Sequence, residues 1–245
     1  MLGGGRLRDG PGDRGQRRHV HLTVRHDTDR AGAHAPDVRG SAREPAPRRL
    51  GTETSKTRGA LLDAAERLML EEGYAAVTSR RVAARAGLKP QLVHYYFRTM
   101  DDLFLALYRR RADQGLERQA RAFESPQPLW ALWDLSCDPR GAALTMEFVA
   151  LANHRKEIRA EFAVSAERYR AEQVAGLHAV LERHGVGVDQ VPPLVLSVLM
   201  TSISQVLVIE HASLGMTTGH AETISFVEEL LRRLEGPRGE PPAAT

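Results

Sequence analysis

Apolar side chains recur at helical spacing from about residue 54 onward. Thr54–Ser55 offers an N-cap, and Leu61, Ala65 and Leu68 then fall at i, i+4 and i+7, which is one face of a helix. Gly73 ends this run, because glycine tolerates the left-handed backbone that closes many helices. The pattern therefore predicts a first helix of about five turns.

Two shorter helices follow at close spacing. Thr78 or Ser79 caps the first of them and Gly87 ends it, while its apolar face is formed by Val82, Ala83 and Ala86. Pro90 fits the first position of the next helix, since proline has no amide hydrogen to leave unpaired. A helix, a tight glycine-containing turn and another short helix make the helix-turn-helix layout, whose second helix lies in the DNA major groove.

Two arginines lie where an isolated helix disfavours them. Arg80 and Arg81 fall in the first turn of the predicted second helix. The positive end of the helix dipole opposes a cation there by about 0.3–1 kcal/mol. A DNA phosphate or guanine edge would offset this cost, and two solvated surface arginines are the simpler alternative.

The pattern from Asp101 onward predicts helices only. A long helix runs through Phe123, and a loop follows at Ser125–Pro128. Alternation of apolar and polar residues with the period of a strand is absent from this part of the sequence. The sequence thus predicts an all-α protein of about nine helices, the later ones near 128–136, 141–154, 156–184, 191–213 and 220–235.

Residues 191–209 carry no charge over nineteen positions, which raises the alternative of a transmembrane helix. No basic flank anchors either end, and a polar stripe runs along one side, so we expect a helix buried on most of its circumference instead. The last helix has an apolar face suited to packing against another helix. The stripe is Ser197, Thr201, Ser204 and Gln205, and the apolar face is Ile224, Val227, Leu230, Leu231 and Leu234.

The first fifty residues differ in composition from the rest. They lack a sustained apolar period and are rich in Gly, Pro, Arg and Asp, which predicts a disordered tail. All their basic residues are Arg, so a start codon assigned too early is a second hypothesis. Four histidines, with no cysteine and no ligand pair at helical spacing, do not indicate a metal site. They are His19, His21, His26 and His34.

Charge is distributed unevenly along the chain. Residues 1–50 hold eleven basic against six acidic residues, residues 51–100 eight against five, and the remainder 15 against 20. A basic N-terminal part suits a surface that faces DNA, and an acidic C-terminal part suits a function other than DNA binding. The single cysteine, Cys137, has no partner for a disulfide within the chain and is expected to be an apolar filler.

No motif typical of an enzyme is present. The sequence has no GxSxG, no HExxH and no phosphate-binding glycine loop, and Cys137 lacks a histidine at helical spacing. We therefore expect no catalytic residues, no cofactor and no metal.

The block "TSKTRGALLDAAERLMLEEGYAAVTSRRVAARAGLKPQLVHYYFRTMDDLFLALY", from Thr54 to Tyr108, resembles the DNA-binding domain of the tetracycline-repressor (TetR) family of bacterial transcription regulators. Its markers are the entry helix, the "VAARAG" second helix, the aromatic "HYYF" end of the recognition helix and "DDLF" at the start of a linking helix. The resemblance is detailed over about 55 residues and architectural beyond them.

The resemblance implies a set of DNA-binding residues in this chain. It places Arg80 where some members have a base-reading arginine, and Thr78 and Ser79 at cap and phosphate positions. Pro90 and Gln91 occupy the first turn of the recognition helix, where glutamine can read adenine. The polar aromatic positions are His94, Tyr95 and Tyr96, and the core positions are Val93 and Phe97.

Four positions depart from the family pattern. Lys89 replaces the usual serine cap and is expected to donate to phosphate instead. His94 replaces the commonest tyrosine, which makes that contact sensitive to pH. Met100 replaces a lysine that contacts phosphate, so Arg98 or Lys89 is expected to supply the charge. Leu92 replaces a frequent threonine and could meet a thymine methyl group or serve the core.

The acidic part offers residues for an effector pocket, although ordinary core packing and helix capping would use the same side chains. Asn153 and His154, beside basic residues at a predicted helix end, are candidate polar contacts. The candidate lining is Trp130, Trp133, Met146, Phe148, Asn153, His154, Phe162 and Tyr169.

The resemblance implies a domain organisation and a function. We expect a disordered tail over 1–50, a three-helix DNA-binding domain over 51–100, a domain of about six helices for effector binding and dimerisation over 101–236, and a disordered tail over 237–245. The expected function is that of a cytoplasmic, nucleoid-associated repressor. It would bind a palindromic operator as a homodimer through 191–213 and 220–235 and be released by a small apolar or amphipathic effector. A helical dimeric scaffold is the alternative.

Overall fold

The computed structural model describes residues 52–239, with side chains described from residue 56. Within this range the chain forms α-helices and no strand, as the sequence pattern predicts. The helices are α1 (Thr52–Glu72), α2 (Ser79–Arg85), α3 (Pro90–Tyr96), α4 (Met100–Phe123), α5 (Pro128–Ser136), α6 (Pro139–His154), α7 (Lys156–Arg183), α8 (Pro193–Ile209) and α9 (His220–Glu235). A 3-10 turn (Tyr74–Ala76) follows α1, and a π-helical turn (Glu210–Leu214) extends α8.

Two of the differences between predicted and observed helix ends have clear local reasons. Helix α6 begins at Pro139 rather than 141, because the Asp138 side chain accepts a hydrogen bond from the Arg140 backbone N–H at 3.1 Å and proline occupies the first turn. Regular α8 ends at Ile209 rather than 213, where the π-helical turn carries the chain to Gly215 at φ 66°. The predicted tail 1–50 lies outside the described residues, as does most of 237–245.

One buried cluster joins the first three helices to α4, α6 and the start of α7. Leu61 and Leu68 of α1 are almost fully buried against residues of α2, α3 and α4. Phe148 of α6 and Ile158 of α7 belong to the same cluster. The helix-turn-helix is therefore packed directly on the helices that follow it, and all nine helices belong to one compact unit.

A second buried cluster lies at the other end of the helices. Trp130 and Trp133 of α5 pack there with Leu177 of α7, Met200 of α8 and Leu231 of α9. The indole N–H of Trp130 donates to the Gly236 carbonyl at 3.1 Å, which satisfies its polar group. This cluster anchors the C-terminal helix.

The prediction that α8 is buried on most of its circumference is wrong. A smaller part of the helix is buried, and that part includes its polar side. Its polar residues Ser197 and Ser204 face inward and are fully buried, whereas many of its apolar side chains are exposed. The segment Pro193–Leu214 is long and apolar enough to cross a membrane, and 28% of its most apolar window is buried. The helix thus presents an apolar surface that the described residues leave exposed.

Helix α9 also exposes apolar side chains. Of its predicted apolar face, Val227 and Leu231 are buried in the second cluster, whereas Ile224 and Leu230 are exposed together with Phe226. The apolar residues therefore divide between two sides of the helix. The exposed apolar residues of the two helices are Leu194, Val195, Val198, Leu199, Val206, Ile224, Phe226 and Leu230, named here the α8–α9 face.

Candidate nucleic-acid interface and effector cavity

The turn between α2 and α3 has the geometry that the sequence pattern predicts. The Thr78 hydroxyl accepts a hydrogen bond from the Arg81 backbone N–H at 3.4 Å and caps α2. Gly87 has φ 68°, which a side chain would disfavour, and Pro90 opens α3. Lys89 holds the N-cap position of α3 without a side-chain cap bond, so its ammonium group is not engaged in capping.

Helix α3 divides its side chains between core and surface. Val93, together with Phe97 just past the helix end, is buried in the first cluster, whereas His94 and Tyr95 are exposed and Tyr96 is half-buried. The Tyr95 side chain is 60% exposed, and its ring meets that of Tyr96 edge to face with centroids 5.1 Å apart. That contact steadies an aromatic hydroxyl in solvent.

The predicted DNA-binding residues lie together on the surface of the packed pair α2 and α3. Seven of them are exposed and three are half-buried. The exposed residues are Thr78, Arg80, Lys89, Pro90, Gln91, His94 and Tyr95, and the half-buried ones are Ser79, Leu92 and Tyr96. Whether they contact DNA stays a prediction.

The arginines of α2 fall into two groups. Arg81 and Arg85 form ion pairs with Glu72 and Glu71 at the end of α1. The hydrogen bond to Glu72 raises the pKa of Arg81. Arg80 makes no ion pair within the described part of the chain. The ion pair with Glu72 therefore offsets the cost of placing the Arg81 cation at this helix start, and no DNA is needed for that. Of these two arginines, Arg80 is the one left available for a contact with DNA.

The start of α4 is fixed by a reciprocal cap directly after the recognition helix. The Thr99 hydroxyl accepts from the Asp102 backbone N–H at 3.1 Å, and the Asp102 carboxylate accepts from the Thr99 backbone N–H at 3.0 Å. Met100 packs partly buried against the first cluster. Arg98, between these residues and α3, is exposed and makes no ion pair within residues 56–239.

A cavity of about 500 Å³ lies among α4, α6, α7 and α8. Four of the predicted pocket residues line it: Met146, Phe148, Phe162 and Tyr169. The other four lie elsewhere. Trp130 and Trp133 are buried in the second cluster, and Asn153 and His154 are exposed at the end of α6, beyond the cavity.

Aromatic rings form one wall of the cavity. The Tyr108 ring meets Phe148 edge to face at 5.0 Å between centroids and stacks on Phe162 at 5.3 Å. Burial raises the pKa of Tyr108 and that of Tyr169, so both phenols are neutral at physiological pH. This wall offers apolar contact with a few neutral hydroxyl groups.

The cavity also has charged residues that are not among the predicted pocket residues. Arg111, Arg118 and Arg170 line it, together with Asp138. Burial lowers the pKa of Arg111, and the positive charge of Arg118 adds to this effect. The spacing of Tyr108, Arg111 and Arg118 places them near one face of α4, a pattern readable from the sequence once the helix is known.

The polar stripe of α8 forms another side of the cavity. The Ser197 hydroxyl donates to the Gln173 side-chain oxygen at 2.5 Å, and both side chains are buried. Thr201, Ser204 and Gln205 line the cavity beside Gln173. The inward orientation of this stripe thus gives the cavity hydrogen-bonding groups.

A single buried carboxylate connects the helix-turn-helix to the helices around the cavity. The carboxylate oxygens of Glu66 in α1 lie 3.2 Å from Arg110 and 3.2 Å from Arg140, and 3.8 Å from Arg111. In addition, the Tyr74 backbone N–H donates to the Glu147 carboxylate of α6 at 2.6 Å. These contacts would therefore transmit a movement of α4 or α6 to α1.

Cys137 follows the last turn of α5 and is half-buried beside the second cluster. Burial raises the pKa of its thiol to about 11, so the thiol is neutral and unreactive at physiological pH. Among the described residues, no group of His, Cys, Asp and Glu could hold a metal ion.

Comparison with known proteins agrees with this geometry. Residues 61–107 match the family model for bacterial regulatory proteins of the tetR family. The HTH-type transcriptional regulator BetI of Rhizobium meliloti (strain 1021) is 30% identical over 132 residues, which are 50% of this chain and 65% of that relative. The match thus spans slightly less than two thirds of the relative's length.

Solved structures share the fold. A TetR transcription regulator from Haloarcula marismortui aligns with TM-score 0.61 and 21% identity, covering 74% of this chain and 98% of that one. A transcriptional regulator from Saccharomonospora viridis in complex with choline aligns with TM-score 0.60 and 20% identity, covering 71% and 96%. Residues 61–107 thus match the tetR family model, and the solved structures show that the described helices share the fold of these regulators.

Proposed function

We propose that this chain is a bacterial transcription regulator that binds a specific DNA sequence through the α2–α3 pair. The observation that carries the proposal is the division of α3, whose Val93 and Phe97 side chains anchor it while His94 and Tyr95 remain exposed. Arg80 and Lys89 extend the same surface and make no ion pair within the described residues. Such side chains donate to phosphate and base edges.

The roles of the individual residues follow from their placement. We assign Arg80 and Gln91, which are exposed, to base edges. The Tyr95 hydroxyl and the Lys89 ammonium group are suited to phosphate contacts, which fix the position of a protein on DNA. The remaining DNA-facing residues of the proposal are Thr78, Ser79, Pro90, Leu92, His94 and Tyr96.

A homodimer through the α8–α9 face completes the proposal. This face exposes large apolar side chains, among them Phe226 at 65% and Val206 at 51%. Exposed apolar patches of this kind mark interaction surfaces, and a two-fold dimer would cover the same patch on both copies. A dimer also suits a palindromic operator, because two-fold symmetry in the protein reads two-fold symmetry in DNA.

A small molecule in the cavity would control DNA binding. The cavity volume of about 500 Å³ lies in the range of ligand sites, and its walls combine aromatic rings with polar and charged groups. The structural neighbour with bound choline supports the idea of a small-molecule effector. Repression relieved by such an effector is the form of regulation we propose, with a coupling of about 1–3 kcal/mol between the sites.

The setting of this activity is the bacterial cytoplasm, at the nucleoid. A second copy of the chain, rather than a lipid bilayer, would cover the apolar side of α8, since Ser197 and Ser204 lie on its inner side. No catalytic step is part of the proposal.

Gel-shift titration against the DNA upstream of the chain's own gene tests this function. We expect retardation that survives excess unlabelled nonspecific DNA and disappears with excess unlabelled upstream fragment. Equal competition by both DNAs would contradict sequence-specific regulation and favour the alternative of a helical scaffold.

A further inference from the structure

The charge on the cavity wall defines the chemistry of its ligand. Building on the proposed effector role, we infer that the ligand is an amphipathic carboxylate, with its anionic group held by Arg111 and Arg118 and its apolar tail lying against Tyr108, Phe148 and Phe162.

The lining has an excess of positive charge. Arg111, Arg118 and Arg170 face the cavity against one carboxylate, that of Asp138, among the described lining residues. Asp138 is already engaged, since its two oxygens accept from the Arg118 guanidinium at 3.2 Å and from the Arg140 backbone N–H at 3.1 Å. A cationic ligand would find no free carboxylate there, whereas an anion would find unused donors.

Both proposed arginines have donor capacity to spare. The Nε of Arg118 is buried and has no hydrogen-bond partner within residues 56–239. The Arg111 guanidinium bonds the Gln114 side-chain oxygen at 3.2 Å, and Glu66 lies 3.8 Å away, beyond hydrogen-bond distance. An arginine can donate five hydrogen bonds, and a planar carboxylate matches its fork.

Neighbouring carboxylates compensate this excess only in part. Glu66, the other carboxylate near Arg111, makes its shorter contacts to Arg110 and Arg140. Burial, together with repulsion from Arg118 and Arg140, lowers the pKa of Arg111 against the attraction of Glu66 and Asp138. A ligand carboxylate would relieve this repulsion, which is a source of affinity that a neutral ligand lacks.

The remaining walls define the rest of the ligand. Leu144 and Phe148 are buried beside Tyr108, and Met146, Val149 and Phe162 extend the apolar surface. The polar stripe of α8 lies at the side of the cavity, with Thr201 and Gln205 available to a hydroxyl or carbonyl group. The cavity therefore suits a molecule with one charged end.

Three probes with one tail and different heads separate charge from apolar contact. Octanoate, octanol and octyltrimethylammonium are titrated by calorimetry into the full-length wild type and into the Arg111→Gln and Arg118→Gln variants. Arg121→Gln serves as the matched control, because Arg121 is exposed on the same helix and does not line the cavity. Thermal melting of each variant verifies folding, and operator binding is measured in parallel.

We expect wild type and Arg121→Gln to bind octanoate about tenfold or more tightly than octanol or octyltrimethylammonium, because charge-assisted hydrogen bonds are roughly twice as strong as neutral ones. Either cavity variant should lose most of that preference while octanol affinity stays nearly constant. Equal affinity for the three probes, preference for the cation, or an unchanged octanoate preference in both variants would overturn the inference. Specific operator binding that persists in that case would leave the proposed function standing.

Discussion

The Glu66 carboxylate of α1 lies 3.2 Å from the Arg140 guanidinium of α6, and the same carboxylate lies 3.2 Å from Arg110 of α4. One buried acid thus joins the helix that supports the DNA-facing pair to two helices that line the cavity. Because Arg111 lies on the cavity and next to Glu66, an anion bound there would compete with Glu66 for the same guanidinium group. This relationship offers a short route between the two sites.

Glu66→Gln should destabilise the protein by about 1–3 kcal/mol. The carboxylate is 7% exposed, and its removal leaves three arginines without a shared counter-charge. Chemical denaturation measures the loss. Asp63→Asn is the control, since Asp63 is exposed and, among residues 56–239, pairs only with Arg110, so its effect should stay below about 1 kcal/mol. Equal effects of both substitutions would mean that Glu66 does not connect the helices.

Arg80→Ala and Tyr95→Phe should each weaken operator binding about tenfold or more and leave the melting temperature nearly unchanged. Both side chains are exposed, and each is expected to donate hydrogen bonds to DNA. Fluorescence anisotropy with labelled operator measures the change, and Arg121→Ala controls for the loss of one surface charge. A large drop in melting temperature would show instead that these residues support the core.

Phe226→Glu should shift the protein from dimer to monomer. Phe226 is exposed on the α8–α9 face, and a carboxylate there would be desolvated in a two-fold interface. Light scattering after size-exclusion chromatography gives the mass. Val164→Glu is the control, because Val164 is similarly exposed on α7 and lies outside this face. A dimer that survives Phe226→Glu would place the interface elsewhere.

Gly176→Ala should destabilise the protein by about 1–3 kcal/mol, although alanine favours helices. A Cβ at Gly176 of α7 would lie 2.3 Å from the Phe123 ring, so the ring or the helix must move. Gly59→Ala in α1 is the matched control, since a Cβ there meets nothing within 4 Å. It should stabilise by up to about 1 kcal/mol, as helix propensity alone predicts. Equal stabilisation by both would contradict the close packing of α7 on Phe123.

The sequence predicts the helices and the division of α3 well, because capping residues, glycines and apolar spacing are local signals. Val93 and Phe97 are buried as the pattern of the recognition helix implies. The orientation of α8 is different, since nothing local shows that Ser197 would pair with Gln173 of another helix and turn the apolar sides outward.

The residues of the cavity could be predicted only in part, because their position depends on contacts between helices that are distant in the sequence. Apolar residues such as Phe148 and Phe162 could be proposed from their size, but Trp130 and Trp133 were equally plausible and belong to the second cluster. Arg111 and Arg118 are ordinary helix residues in the sequence. Only the packing of α6, α7 and α8 around α4 places them on the wall of a cavity.

DNase I footprinting of wild-type protein on the DNA upstream of its own gene is the sharpest test of specific binding by a dimer. We expect one protected segment whose sequence has two-fold symmetry, at protein concentrations that leave flanking DNA open to cleavage. Protection spread evenly along the fragment, or none at all, would contradict a sequence-specific dimeric regulator.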